Sequence, residues 1–119
     1  MRIVIQRVKS AKVTINDISH SSIKQGLLCF VGFIEDDNIV DFEWSINKLI
    51  KLKLFDGFSL QDVKGELLVV SQFTLFASIK KGTKPSWSRA AKPALAKKLY
   101  KQFLTMCEEA VPHLVKSGV

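Results

Sequence analysis

Ser71, Gln72 and Thr74 close an apolar run, Glu66-Leu67-Leu68-Val69-Val70-Ser71-Gln72-Phe73-Thr74-Leu75-Phe76, and are the polar side chains of this sequence best placed to do chemistry. A hydroxyl or amide delivered by a buried strand must find a hydrogen-bond partner or meet a ligand, since leaving it unpaired costs ~1 to 3 kcal/mol. Without a ligand, the three would bond to neighbouring strands or loops. What the segment lacks is a base. From Leu67 to Cys107 there is no histidine and no carboxylate, so Ser71 or Thr74 as nucleophile has nothing nearby in sequence to take its proton. The catalytic scheme open to such a segment is oxyanion stabilisation by backbone N–H groups, a device that contributes ~3 to 4 kcal/mol. The base would then come from substrate or water. The glycine spacing of a phosphate loop or a dinucleotide fingerprint is absent.

Charge gives the segment after this run its character. The net charge is +7, yet all eleven acids lie at or before Glu66 or at Glu108 and Glu109. Between those limits stand Lys80, Lys81, Lys84, Arg89, Lys92, Lys97, Lys98 and Lys101. A field of one sign attracts polyphosphate and speeds encounter with it; the alternative is a solubilising lysine-rich helix face. Because the cations follow directly on the polar strand end, nucleic acid is the favoured partner. Within the cluster, Lys80-Lys81-Gly82-Thr83-Lys84-Pro85-Ser86-Trp87-Ser88 reads as a loop with one large aromatic. Trp87 either stacks a splayed base or caps the core beneath the loop. His20, alone in an edge strand, reads as a surface residue.

These groups need a scaffold to hold them. Period-two alternation over Glu66–Phe76 predicts one strand with Ser71, Phe73 and Leu75 on one face and Gln72, Thr74 and Phe76 on the other. Upstream, residues 2–8 form a first strand, expected to be central. Residues 10–16 alternate with Ala11, Val13 and Ile15 inward, Asn16-Asp17 turns the chain, and residues 18–23 make an edge strand. The fully apolar run 27–33 suits burial on both faces. Glu35, Asp36 and Asp37 mark a helix N-terminus; Ile39, Phe42, Ile46, Leu49 and Ile50 share one face of that helix, and Trp44 is expected in the core or at a subunit contact. Residues 51–55 alternate as a strand, Asp56-Gly57 turns, and 59–64 is an irregular connection. Pro93 opens a last helix with Ala96, Tyr100, Phe103, Cys107 and Ala110 on one face. Pro112 ends it, leaving 113–119 too short to do much alone.

At 119 residues the chain is one domain able to bury a core without staples. Cys29 and Cys107, each in an apolar pattern without neighbouring ligands, read as reduced core residues, and no zinc spacing exists. No stretch has the form of a signal peptide or the length of a membrane span. A soluble cytoplasmic protein without metal or cofactor is expected.

Three blocks in register carry a resemblance over essentially the whole chain. The opening Met1-Arg2-Ile3-Val4-Ile5-Gln6-Arg7-Val8, the run Gly65–Leu75, and Lys81-Gly82-Thr83-Lys84-Pro85-Ser86-Trp87-Ser88-Arg89-Ala90, with Gly26-Leu27-Leu28 between them, closely resemble the D-aminoacyl-tRNA deacylases. The resemblance implies an α+β fold: an antiparallel, barrel-like β-sheet with two packed helices in a single domain that forms a homodimer. It implies hydrolysis of the ester joining a D-amino acid to tRNA, a chirality proofreading step in translation. The 2'-hydroxyl of the terminal adenosine takes part, and the pocket works largely through backbone atoms. By motif, Ser71, Gln72, Phe73 and Thr74 line the pocket, with a main-chain N–H near Phe73 or Thr74 as oxyanion donor and a Thr74 nucleophile as the rival assignment. Arg7 supports the pocket from the first strand, while Lys81, Lys84, Trp87 and Arg89 face the tRNA acceptor end. Aminoacylated tRNA and a second copy of the chain are the implied partners.

One family feature is missing. The family's Gly-Pro element, held cis near the C-terminus and excluding L-amino acids, has no counterpart here, since the prolines follow Lys84, Lys92 and Val111. The sequence stops at Ser117-Gly118-Val119, about where the family continues into strands bearing that element, so residues 1–119 are expected to lack those strands. A non-catalytic module binding the tRNA acceptor end is the second reading, and an esterase using Thr74 on free esters the third.

Overall fold

The apolar run at Gly26–Gly32 becomes the middle of the molecule. The structure, a computed structural model, describes residues 1–118. Strand β4 (Gly26–Gly32) pairs antiparallel with β1 (Arg2–Val8) and parallel with β5 (Glu66–Ser71); β6 (Val115–Ser117) then pairs parallel with β5, giving the order β1-β4-β5-β6. The sheet is therefore mixed rather than antiparallel. Its parallel pairs follow from the connections: α1 (Ile39–Lys51) and α2 (Leu60–Val63) lie between β4 and β5, and α3 (Pro93–Ala110) lies between β5 and β6. A helical crossover returns the chain to the same end of the sheet, so the next strand runs parallel. Among the described residues there are three α-helices instead of the two expected.

β2 (Ala11–Ile15) and β3 (Ile18–Ile23) form a separate hairpin. Its turn residues Asn16 and Asp17 have φ of 50° and 63°, the left-handed pair that matches strand twist in two-residue hairpins. Ser21 Oγ donates to the Ser117 carbonyl at 2.8 Å and ties the hairpin to β6. Ile15, expected inward, is exposed near the hairpin tip.

The core lies between the sheet and the helices. Leu27, Cys29, Val31, Leu67 and Val69 meet Phe42, Ile46 and Leu49 of α1 and Leu99, Tyr100, Phe103 and Cys107 of α3. Phe33, Phe42 and Phe103 contact one another edge to face with centroids 5.6 to 6.2 Å apart, a geometry worth ~0.5 to 1.5 kcal/mol per pair beyond the area buried. α1 starts from a capping box in which Asn38 accepts from Val40 N–H and Asp41 accepts from Asn38 N–H. Asp37 serves another purpose: its buried carboxylate accepts from the Met1 ammonium and from Ile34 N–H, both at 2.7 Å.

Several local expectations change for tertiary reasons. β1 is an edge strand rather than a central one, since among the described residues its one sheet neighbour is β4. Residues 51–55 make no strand: α1 runs through Lys51, and Phe55 bridges only to Phe58 around the Asp56-Gly57 turn. Residues 59–64 hold the capped helix α2, with Ser59 and Asp62 exchanging capping bonds. Residues 115–117 form β6 rather than an idle tail, while Val119 lies outside the described residues. Trp44 is 66% exposed and so is not core. Ile39 and Ala110, expected on apolar faces, are exposed at the helix ends. Among the described residues no helix is long and apolar enough to cross a membrane.

Cys29 and Cys107 are free and buried. Burial pushes both thiols from 9.0 up to about 12, with mutual repulsion of the thiolates adding to it at Cys107. The folded values exceed the unfolded ones, so the folded state holds the extra protons. Stability is complete below pH 9 and falls as pH rises toward 12, by about 1.4 kcal/mol per pH unit per group. Urea midpoints measured from pH 8 to 11 should fall from pH 9 upward. In Cys107→Ala the alkaline fall should be shallower.

Candidate functional site

β5 stops at Ser71, and the chain turns into a 3-10 helix at Phe73–Phe76 instead of continuing extended. The last rung is Gln72 N–H donating to the Val31 carbonyl at 2.8 Å. β4 then ends in Gly32, where a Cβ would stand 3.0 Å from the Gln72 carbonyl oxygen and 3.1 Å from two ring carbons of Phe76. That missing methyl leaves room for the turn to fold back over the end of β4. The expected alternation therefore fails beyond Ser71: Phe76 is buried, while Phe73 and Thr74 are exposed. Leu75 N–H bonds to Gln72 O at 3.4 Å and Ala77 N–H to Thr74 O at 3.0 Å. Helical geometry leaves the N–H groups of Phe73 and Thr74, at the start of the turn, without an intrahelical acceptor.

The turn has no side-chain cap, and β1 supplies part of its anchorage. Arg2 Nη1 donates to the Leu75 carbonyl at 2.8 Å, and its guanidinium lies 4.8 Å from the Phe76 ring centroid. Arg89 approaches the same ring at 6.0 Å, tying the basic loop to the turn. Arg2 was not singled out from the sequence; only the register Arg2 to Gly32 and Val31 to Ser71 brings it here. Arg7 lies elsewhere. It pairs through Leu27 to Leu67, four positions and roughly 13 Å along the sheet from Ser71, and its Nη1 donates to the Leu54 carbonyl at 2.7 Å. Arg2→Ala is expected to lower kcat of the reaction proposed below about 10-fold with KM unchanged, through a sub-ångström shift of the turn. Arg2→Lys should restore most of it, and steady-state kinetics of both variants test this.

The loop after the turn closes on itself. Ser78 N–H donates to Ser86 O at 2.6 Å and Ser86 N–H to Ser78 O at 2.8 Å, holding Lys80, Lys81 and Lys84 at an exposed tip. Trp87 does not sit beneath the loop as a core cap. It packs edge to face on Phe73, with centroids 5.7 Å apart and planes at 68°. These two rings and Ser71 form one wall of a groove of about 740 Å³, within the ~300 to 1,000 Å³ usual for pockets that hold small ligands. α3 forms the other wall with Ala96, Tyr100 and Leu104. Of the residues marked by the sequence, Ser71, Phe73 and Trp87 meet in this groove with Lys92, Lys97 and Lys101 of the cationic segment. Gln72, Thr74, Lys81, Lys84, Arg89 and Arg7 do not line it.

Tyr100 also lines the groove, although the sequence assigned it only to the core and its helical spacing gave no sign of more. Its hydroxyl lies 2.8 Å from the Val69 carbonyl and 3.2 Å from that of Gly118. Burial, the largest influence, pushes the phenol up to about 12, so it stays neutral at physiological pH and joins α3 to the sheet. Among the described residues no histidine or carboxylate lines the groove, and no group of three His, Cys, Asp or Glu side chains is placed to hold a metal ion. What the site offers is a pair of N–H donors, hydroxyls, aromatic faces and nearby cations.

The profile of the D-Tyr-tRNA(Tyr) deacylase family matches residues 4–119. A D-aminoacyl-tRNA deacylase of Cytophaga hutchinsonii is 46% identical over 122 residues, covering 98% of this chain and 81% of the relative. That of Thermosipho africanus is 46% identical over 114 residues, covering 91% and 76%. Among solved structures, the c-Myc DNA unwinding element binding protein superposes with a TM-score of 0.92 at 32% identity, covering 100% of this chain and 85% of that one. A probable eukaryotic D-amino acid tRNA deacylase shares the fold, with a TM-score of 0.76 at 14% identity over 91% of this chain and 67% of that one. The chain thus belongs to the D-Tyr-tRNA(Tyr) deacylase family.

Proposed function

We propose that the chain hydrolyses the ester of D-aminoacyl-tRNA, releasing D-amino acid and tRNA as a cytoplasmic proofreading step, and that it acts as a homodimer of barrel-like subunits. The observation that carries this reading is the groove itself: it has the volume for an aminoacyl nucleoside, no histidine or carboxylate among its described lining residues, and on one wall Phe73, where an uncapped 3-10 turn begins. Water attacks the ester carbonyl, and the terminal 2'-hydroxyl relays its proton. The tetrahedral oxyanion accepts hydrogen bonds from Phe73 or Thr74 N–H. Collapse breaks the ester C–O bond, and the ribose 3'-oxygen leaves with a proton. Ser71 and Gln72 set the turn in register with β4, and Phe73 with Trp87 gives the bound end an aromatic face. Lys81, Lys84 and Arg89 attract the acceptor stem, and Arg7 supports the far end of β1. Trp44, exposed beside Ile3, Ile5 and Leu52, provides an apolar surface for the second copy.

The test is release of tyrosine from D-Tyr-tRNA and L-Tyr-tRNA against the spontaneous rate. Selective release of D-tyrosine is expected. Binding of tRNA without release of either would instead favour a non-catalytic acceptor-end binder, a reading that a groove without histidine or carboxylate among its described lining residues also supports.

A further inference from the structure

We propose that Lys92, Lys97 and Lys101, along α3, hold the phosphates of the 3'-terminal single strand of the tRNA where it enters the groove; this rests on the deacylase reading. Eight cations follow the site strand in sequence, but the fold separates them. Lys81 and Lys84 go to the tip of the loop beyond the Ser78 and Ser86 bridge, and Lys98 turns away from the groove. Lys92, Lys97 and Lys101 line it together with Ala96, Tyr100 and Leu104. A solvated helix face would put its lysines opposite the apolar side. These three instead share the side that faces Phe73 and Trp87.

Their spacing suits a strand. Lys97 and Lys101 are one turn apart, about 6 Å along the axis, and the wall from Lys92 to Leu104 runs roughly 18 Å, enough for a few nucleotides. Among the described residues, the ion pairs are Met1 with Asp37 and Arg7 with Asp56. The three ammonium groups therefore face the groove with no carboxylate to neutralise them. Long lysine stems lie along apolar surface with the charge at the rim. Across the groove stand the edge-to-face rings of Phe73 and Trp87. A cationic rail facing aromatic rings is how single-stranded nucleic acid is held without reading its sequence. The small side chain of Ala96, between the lysines, leaves the floor open to the terminal aminoacyl group. The loop cations, farther out, are left to the duplex stem.

The experiment measures binding of a short unacylated RNA ending in CCA to the full chain as a function of KCl. Each phosphate contact to a single strand contributes about 0.7 to the slope of log K against log salt, so Lys92→Gln/Lys97→Gln/Lys101→Gln should flatten the slope by about 2. The comparison variant Lys48→Gln/Lys51→Gln/Lys53→Gln removes the same charge from α1 and the residues after it and should leave the slope unchanged. Thermal melts of both variants establish that they are folded. An unchanged slope in the α3 variant overturns the proposal, as does an equal change in both, which would mean a diffuse field. Release of D-tyrosine from D-Tyr-tRNA by the unsubstituted chain is measured in parallel. Hydrolysis with no slope change sinks the phosphate rail alone. A slope change without hydrolysis sinks the deacylase reading and leaves a single-strand seat.

Discussion

D-Tyr-tRNA ending in 2'-deoxyadenosine is expected to be deacylated ~10² to 10⁴-fold more slowly than the natural substrate, the range by which a positioned proton-transfer group accelerates a reaction. The reason is what the groove lacks. Its walls carry no histidine or carboxylate among the described residues, and Tyr100, the one residue there with a raised pKa, is held neutral by burial and committed to the Val69 and Gly118 carbonyls. Lysine is a poor base unless desolvated, and Lys92, Lys97 and Lys101 are exposed. A proton acceptor must then arrive with the substrate. Single-turnover release from the two tRNAs measures the ratio, and a ratio near one would mean that the protein supplies the base after all. Thr74→Ala discriminates further. Thr74 is exposed and outside the groove lining, so its replacement should cost only a few-fold in rate; loss to background would make it the nucleophile.

Gly26→Ala should destabilise the chain severely. Gly26 pairs with Glu66 where β4 and β5 begin, and a Cβ there would stand 1.8 Å from the Glu66 carbonyl oxygen and 2.7 Å from Glu66 C and N. All three are backbone atoms of a strand fixed on both sides, so no side-chain rotation relieves the clash. Glu66 N–H also donates to Gln25 O at 3.0 Å, and the Glu66 carboxylate accepts from Lys24 N–H at 3.0 Å. Separating the strands would break these bonds at the start of the central parallel pair. A penalty above ~4 kcal/mol, against a whole-domain stability of ~5 to 15, is the expected scale. Far-UV circular dichroism and a urea titration measure it. Gly57→Ala provides the contrast: its φ is 90° with no atom within 4 Å of an added Cβ, so it should cost only about 1 kcal/mol through the left-handed backbone.

The parts of the fold legible from residue order are those whose causes are local. Asn16-Asp17 turns the β2–β3 hairpin, Glu35, Asp36 and Asp37 announce a helix whose cap is Asn38 with Asp41, and Pro93 opens α3 with Tyr100, Phe103 and Cys107 in its buried stripe. The absence of a base between Leu67 and Cys107 was legible too, because it is a count and needs no geometry. Where the reading of Glu66–Phe76 as one strand failed, the cause lies forty residues upstream. Gly32 ends its ladder partner and opens the space that Phe76 fills, and alternation within the run carries no trace of that. Capping at Ser59 was local and legible in principle, through the Ser59 and Asp62 spacing.

The candidate site divides the same way. Residue types alone determined that no histidine or carboxylate stands between Leu67 and Cys107, and that a cationic segment follows Ser71. Only the tertiary structure decided which of those residues meet. Parallel pairing of β4 with β5 depends on the crossover through α1 and α2, and that register carries Arg2 to the turn and leaves Arg7 roughly 13 Å away along the sheet. Packing of α3 against β5 then selects Lys92, Lys97 and Lys101 from eight cations and sets them opposite Phe73 and Trp87. Local periodicity is fixed by neighbours a few residues away, whereas a groove is made by surfaces distant in sequence, and their registration depends on every strand and helix between them.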